Sequence, residues 1–295
     1  MLLLACQNGH EQCVRAMIKA GSAVDAHKSD GTTALMIACE NGNQPCVRVL
    51  ITAKASVDTQ NECGWTALMM ACRRGHELCT RVLLGAKAAV DTQNKNGWTA
   101  LMIACEHGHD ECVRLLIEAN AAIDAQKTDG FTALMIACEH GHDECACALI
   151  EATAAIDVQH NGGWTALMMA CQAGHIDCVR TLLEAKANPN SMENSKGTTA
   201  LMLACMYGHE SVACALIEAK ADPNVENKEH VTALNFACDN GEEACAMLLL
   251  RNGARADVKD NWGETPMSIA KKKKMKAVVA MMKHGGFRSR DAELA

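Results

Sequence analysis

The chain has 295 residues, 49% hydrophobic but only 3% aromatic, so its core has to be assembled from Ala, Leu, Met, Ile and Cys. No apolar run reaches the roughly 18 residues of a membrane span, and the opening MLLLAC has neither the charged leader nor the apolar length of a secretion signal. The net charge of −7 is uneven: from Thr265 onward eight Lys and Arg face two acids, leaving twenty bases against thirty-three acids before it, which argues against a nucleic-acid groove.

Along the chain the tripeptide Thr-Ala-Leu recurs from Thr33 at Thr66, Thr99, Thr132, Thr165, Thr199 and Thr232, and Thr265 opens Thr-Pro-Met. The steps are 33 residues except for one of 34, so the chain is an array and each residue is one copy of a repeated position. Aligning Ala5 and Cys6 with Ala38 and Cys39 places Met1 beside Ala34. The first copy therefore lacks its hairpin and its Thr cap, which reads as a fragment of a longer product or as a first repeat that frays.

Thr132 to Gly163 serves as the model unit. Thr132 is the predicted N-cap of a helix of about two turns over Ala133–Cys138, broken at Gly141. Asp143 and Glu144 open a second helix at the positive end of its dipole, with Cys145, Ala146, Ala148, Leu149 and Ile150 as its apolar side. Asp157 to Gly163 has the polar and glycine content of an exposed turn. Neither helix reaches the roughly 12 residues needed to stand alone, so each has to be held by its neighbours.

The strings TALMIACEHGHDECVRLLIEANAAIDAQ from Thr99 and TPMSIA from Thr265 resemble the ankyrin repeat, over about residues 1 to 286. The resemblance implies an all-α, ankyrin-type solenoid of stacked helix-turn-helix units with β-hairpin-like loops, whose loop tips and first helices line a concave surface that binds proteins. It implies no chemistry. The expected repeats are 1–31, 32–64, 65–97, 98–130, 131–163, 164–197, 198–230, 231–263 and 264–286, with a polar tail at 287–295. The resemblance also raises hydroxylation of a hairpin asparagine, a slot that Asn190 and Asn224 alone match here.

The extra residue of the 34-residue step lies within Asn188 to Gly197, a neutral lengthening of one loop or a recognition finger. The last copy replaces the Gly-His turn with Lys271–Lys274 and Lys276 and closes with Gly285 and Gly286. It reads as a polar end cap, with an anionic-membrane or nucleic-acid anchor, or a nuclear-import signal, as the sharper alternative.

Cysteines recur seven apart, as in Cys39 and Cys46, Cys72 and Cys79, and Cys105 and Cys112. They fall at apolar positions, so core packing in a reducing compartment is expected, with a thiol-rich metal or redox buffer as the alternative. Cys105, His107, His109 and Cys112 superficially offer zinc-type ligands. Residues two apart on a helix lie about 200° around its axis, so Cys105 and His107 do not converge, and no metal or cofactor is expected. His109 shares its turn position with His10, His76, His142, His175 and His209, where the resemblance implies a hydrogen-bonding role. Cys147 and Cys214 stand where sister copies have Arg, and are the candidate reactive thiols.

No nucleophile elbow, phosphate loop, zinc-protease helix or dinucleotide fingerprint is present, and TALMIACEHGHDEC occurs identically at Thr99 and Thr132. Duplicated side chains are poor material for a unique catalytic site, so the chain is expected not to be an enzyme and to take no small-molecule substrate.

What varies is the residue before each Thr: Thr32, Trp65, Trp98, Phe131, Trp164, Thr198, Val231 and Glu264. Four successive aromatics at one register are either anchors of a protein interface or covers for the neighbouring hairpin. Arg73, Glu106, His107, Glu139, His140 and Tyr207 on the first helices form the polar setting, which would suit an Arg-containing partner segment. The expected function is a non-catalytic scaffold or adaptor, a single chain in the cytoplasm or the nucleus.

Overall fold

The repeated Thr is where the fold starts. In the computed structural model, which describes residues 1–284, Thr33 Oγ1 accepts the Met36 amide at 3.2 Å, and Thr66 and Thr99 accept those of Met69 and Met102 at 3.3 Å. Each bond satisfies one of the amides that a helix start leaves without a partner. Met1, at the head of the first copy, makes no such side-chain bond. Gly285, Gly286 and the tail expected at 287–295 lie outside the described residues.

The contacts divide the chain into two units, Met1–Ala137 with Glu144–Ala155, and Cys138–Asp143 with Ile156 onward. The first unit holds α1 (Leu2–Gln7), α2 (Glu11–Lys19), α3 (Ala34–Glu40), α4 (Gln44–Thr52), α5 (Ala67–Arg73), α6 (Glu77–Gly85), α7 (Ala100–Glu106) and α8 (Asp110–Glu118). Helices α9 (Ala133–His140) and α10 (Asp143–Glu151) have residues in both units. The second unit holds α11 (Ala166–Ala173), α12 (Ile176–Glu184), α13 (Ala200–Met206), α14 (Glu210–Glu218), α15 (Ala233–Asn240), α16 (Glu243–Arg251), α17 (Pro266–Lys272) and α18 (Lys276–Lys283).

These helices are too short to persist alone, and their burial shows what holds them. All six residues from Ala67 to Cys72 are buried, because α5 packs on α3 on one side, on α7 on the other, and on its own partner α6. A helix covered on every side has to be apolar all round. The second helices are one-sided: α8 buries Cys112, Val113, Leu115 and Leu116 and leaves Arg114 exposed.

The loops are tight turns closed by one backbone bond. In the first unit Asn61, Asn94 and Lys127 donate to the carbonyls of Trp65, Trp98 and Phe131, each at 3.0 Å. Side chains fill several of the turns, as when Asn94 Oδ1 accepts the amides of Asn96 and Trp98 at 2.9 and 3.0 Å. In the second unit the turn with the extra residue uses a longer acid. Glu193 is buried, and its carboxylate accepts the amides of Ser195 and Lys196 at 2.6 Å and that of Thr198 at 3.2 Å. One added residue is thus matched by one added methylene, and the lengthened loop is fastened down.

Neighbouring layers are joined by two ladders. Asp25, Asp58, Asp91 and Asp124 each accept a backbone amide one layer on, from Ser56, Ala89, Ala122 and Ala155, at 2.8–2.9 Å. In the second unit Asp157, Asn190 and Asn224 do the same for Asn188, Asp222 and Arg255. The histidines form the other ladder. His76 Nε2 donates to the Glu40 carbonyl at 3.1 Å and His109 Nε2 to that of Arg73 at 3.3 Å, so each ring closes the carbonyl end of the preceding first helix.

Candidate protein-binding surface

Trp65, Trp98 and Phe131 end successive turns of the first unit, and all three are half-buried. Their faces carry cations of the chain itself. The Arg73 guanidinium lies 5.4 Å from the Trp65 ring centre, and Lys127 Nζ lies 4.8 Å from that of Trp98 and 4.5 Å from that of Phe131. A cation over an aromatic face is attracted by the ring quadrupole, more strongly as water is excluded. Lys127 also meets Asp129 at 2.8 Å, and this pairing, with the Phe131 amide, holds the Asp129 carboxyl below its ordinary range against the opposing effect of partial burial. Trp164 ends the equivalent turn of the second unit and is half-buried too.

The expected polar setting is largely exposed. In the first unit Arg74 meets Glu40 at 3.6 Å, and exposed His107 meets Glu106 at 3.6 Å, its ring edge-on to His109 with centroids 6.1 Å apart. In the second unit Glu139 and His140 are exposed, and His140 stacks on His142 at 6.2 Å. Tyr207 is 49% exposed; its ring stacks on His209 at 6.3 Å and its hydroxyl accepts from Gln172 Nε2 at 3.3 Å. Each unit therefore presents rings and mixed charges from its turns and first helices, a composition suited to recognising another polypeptide.

The ankyrin repeat model, built on three copies, matches residues 2–93, 79–160, 152–227 and 215–290. The chain belongs to the ankyrin repeat family. Among solved structures it is similar to the ankyrin repeat domain of human ASB11, at 27% identity and a TM-score of 0.69, covering 75% of this chain and 98% of that one. Among the curated proteins compared, none matches. Ankyrin repeats are generally protein-interaction modules, and no helix among the described residues is long and apolar enough to cross a membrane.

Within this ankyrin chain the cysteines follow a packing rule. The first-helix thiol of one layer meets the second-helix thiol of the next: Cys39 with Cys79, Cys72 with Cys112, Cys105 with Cys145, and Cys205 with Cys245. Thr80 joins one such pair, its hydroxyl 3.8 Å from Cys72 Sγ and 3.7 Å from Cys112 Sγ. Fourteen of the eighteen cysteines are buried, which makes them core material. Burial pushes the Cys6 and Cys238 thiols up to about 12. Burial and then Cys79 raise Cys39, whereas Cys72 is raised first by the Cys112 thiol and then by burial.

Cys13 departs from the expected core placement and is exposed. Cys214 departs from the expected reactivity: partial burial and the carboxylate of Glu218, 3.6 Å from its sulfur, raise its pKa and so lower its thiolate fraction. Exposed Cys63, in a turn, was not singled out by position. Its slot holds Asp30, Asn96 and Asp129 in sister copies, and that polarity is the signal for exposure.

Two other expectations meet specific geometry. Asn190 and Asn224 use both ends of their amides, accepting from Asp222 and Arg255 and donating to the carbonyls of Lys220 and Gly253. In the lysine cap, Lys272 is paired with Glu264, and Lys273 with Asp239 at 3.2 Å. Among the described residues no three His, Cys, Asp or Glu are grouped as a metal centre.

Two residues that sequence reasoning missed, Asn235 and Trp262, belong to one cleft of the second unit. Both break a repeat rule. Asn235 stands where Met36, Met69, Met102, Met135, Met168 and Met202 stand, and Trp262 fills the small or polar slot of Asp30, Asn96 and Gly162.

Proposed function

We propose that this ankyrin repeat chain is a non-catalytic scaffold or adaptor that binds partner proteins through its turns and first helices. Trp65, Trp98 and Phe131 would be the anchors in the first unit and Trp164 in the second, with Arg73, Glu106, His107, Glu139, His140 and Tyr207 setting specificity around them. The observation that carries this reading is the cation-capped aromatic register: three rings at one turn position, half-buried, with Arg73 and Lys127 over their faces. A ring already oriented by its own layer loses little freedom on binding, and the cation beside it can take an acidic or carbonyl group of a partner.

Affinity capture from cell lysate tests the reading, with wild type and a Trp65→Ala, Trp98→Ala, Trp164→Ala variant compared by quantitative mass spectrometry. Proteins that bind by this register fall at least tenfold in the variant while its helical content is kept. Equal recovery by two folded proteins overturns the assignment of the rings. Localisation in the cytoplasm or nucleus belongs to the same proposal and is tested by imaging the tagged chain.

A further inference from the structure

The geometry points to the cleft between α15 and α17 as a docking site for an arginine-bearing peptide segment of a partner protein, an inference that rests on the protein-binding reading and adds a contact apart from the aromatic register. The cleft has a volume of about 440 Å³, lies wholly within the second unit, and has Val231, Phe236 and Ile269 among its apolar lining. Trp262 stands at its edge, 69% exposed. Trp65, Trp98, Phe131 and Trp164, which directly precede their Thr, are all less open than this ring, which stands three residues before Thr265.

A second, independent observation points to a ligand. Asn235 lines the cleft and is only 2% exposed, yet its Nδ2 donates to nothing. The amide cannot be turned to relieve this, because Oδ1 accepts the Thr232 N–H at 3.1 Å and the Thr232 hydroxyl at 2.7 Å. Nor does the cap need an amide here: in two sister layers a Met sulfur takes the cap N–H, as Met36 and Met202 do at 3.4 and 3.5 Å. What Asn235 adds is a buried donor, and a peptide carbonyl is the acceptor that matches it.

The charge selects the side chain. The lining carries four carboxylates, Glu229, Asp239, Asp260 and Glu264, and no base. Lysines approach three of them from outside: Lys196 is 3.8 Å from Glu229, Lys273 is 3.2 Å from Asp239, and Lys272 pairs with Glu264. These are exposed point-charge pairs, which hold weakly. A guanidinium binds a carboxylate through two parallel bonds and stacks on an indole face, neither of which a lysine does as well. Asn235 Nδ2 is covered in the unliganded chain, so the segment's carbonyl reaches it as the lining side chains part; an arginine over Trp262 with that carbonyl at Asn235 then uses the ring, the acids and the orphan donor together.

The test is a titration of the full chain with a blocked seven-residue Ala/Leu peptide carrying one central arginine, beside its citrulline counterpart. Calorimetry gives the affinity, and NMR follows the Trp262 indole and Asn235 amide signals. Both signals move with the arginine peptide, and citrulline binds at least tenfold more weakly. Trp262→Ala and Asn235→Met, the second restoring the residue of six sister copies, each weaken binding at least tenfold. Undiminished binding by Asn235→Met with its unfolding midpoint not lowered, equal affinity for citrulline, or no signal movement at millimolar peptide would overturn the assignment. The Trp65, Trp98, Trp164 triple variant should bind the peptide as wild type does. Absence of peptide binding beside normal partner capture removes the cleft alone, whereas peptide binding with unchanged capture by the triple variant removes the register alone.

Discussion

Lys127 Nζ lies 4.8 Å from the centre of the Trp98 ring, although the two residues belong to successive turns. Its side chain is only 15% exposed, so the aliphatic stem is packed while the ammonium faces Trp98, Phe131 and Asp129. Lys127→Met keeps the stem and removes the charge. It is expected to lower stability by about 1 kcal/mol, the scale of a partly desolvated cation–ring contact, read as a shift of the urea midpoint. An unchanged midpoint would mean that the cation contributes only its carbon chain.

Glu193 gives the array an acid-sensitive point. Burial opposes ionisation, but the amides of Ser195, Thr198 and Lys196 outweigh it and hold the carboxyl at about 2, well below its ordinary 4.5. A carboxyl depressed in the folded state contributes stability above its unfolded pKa and loses it as pH falls through the folded one. The loss is therefore expected between about pH 4.5 and pH 2. Glu193→Gln should cost about 2 kcal/mol at pH 7 and flatten the fall in stability over that window. Parallel pH slopes for the two proteins would contradict it.

Thr153 is a β-branched residue with φ at 68°, in a slot that Lys54, Lys87, Asn120, Lys186 and Lys220 also hold left-handed and Gly21 and Gly253 fill without strain. Left-handed backbone costs a residue with a β-carbon roughly 1–2 kcal/mol. Thr153→Gly is expected to raise stability by about 1 kcal/mol in denaturant unfolding. A loss instead would show that the Thr side chain offsets the strain.

The orphan amide of Asn235 has a cost of its own. Replacing it with the Met of the sister layers removes a buried donor without a partner and is expected to raise stability by about 1–2 kcal/mol. A lower unfolding midpoint for Asn235→Met would show that the Thr232–Asn235 bonds outweigh the donor left over.

The thiols should separate sharply on brief alkylation of the native chain. Cys13 and Cys63 are expected to label first and the fourteen buried cysteines only after unfolding, as read by mass spectrometry of the digested protein. Early labelling of Cys39 or Cys72 would contradict their place in the core.

Much of this was legible in the chain. The Thr caps, the apolar first helices and the histidines of the Gly-His turn repeat, and a residue recurring at one position has to meet the same neighbours in each layer. The cysteine pairs were half legible: the positions marked core, but Cys13 holds one of them and is exposed. The cation over Trp98 was not legible, because Lys127 reaches it only once one turn is laid beside the next. The Asn235 and Trp262 cleft left a signal that went unused, since each is the odd residue in its own column.

Hydrogen exchange by mass spectrometry, on the chain alone and with its captured partner, tests the central claim most directly. The account expects the turns that end at Trp65, Trp98 and Phe131, and the first helices beside them, to exchange more slowly in the complex. Protection confined to the outer faces of the second helices, with those turns unchanged, would contradict it.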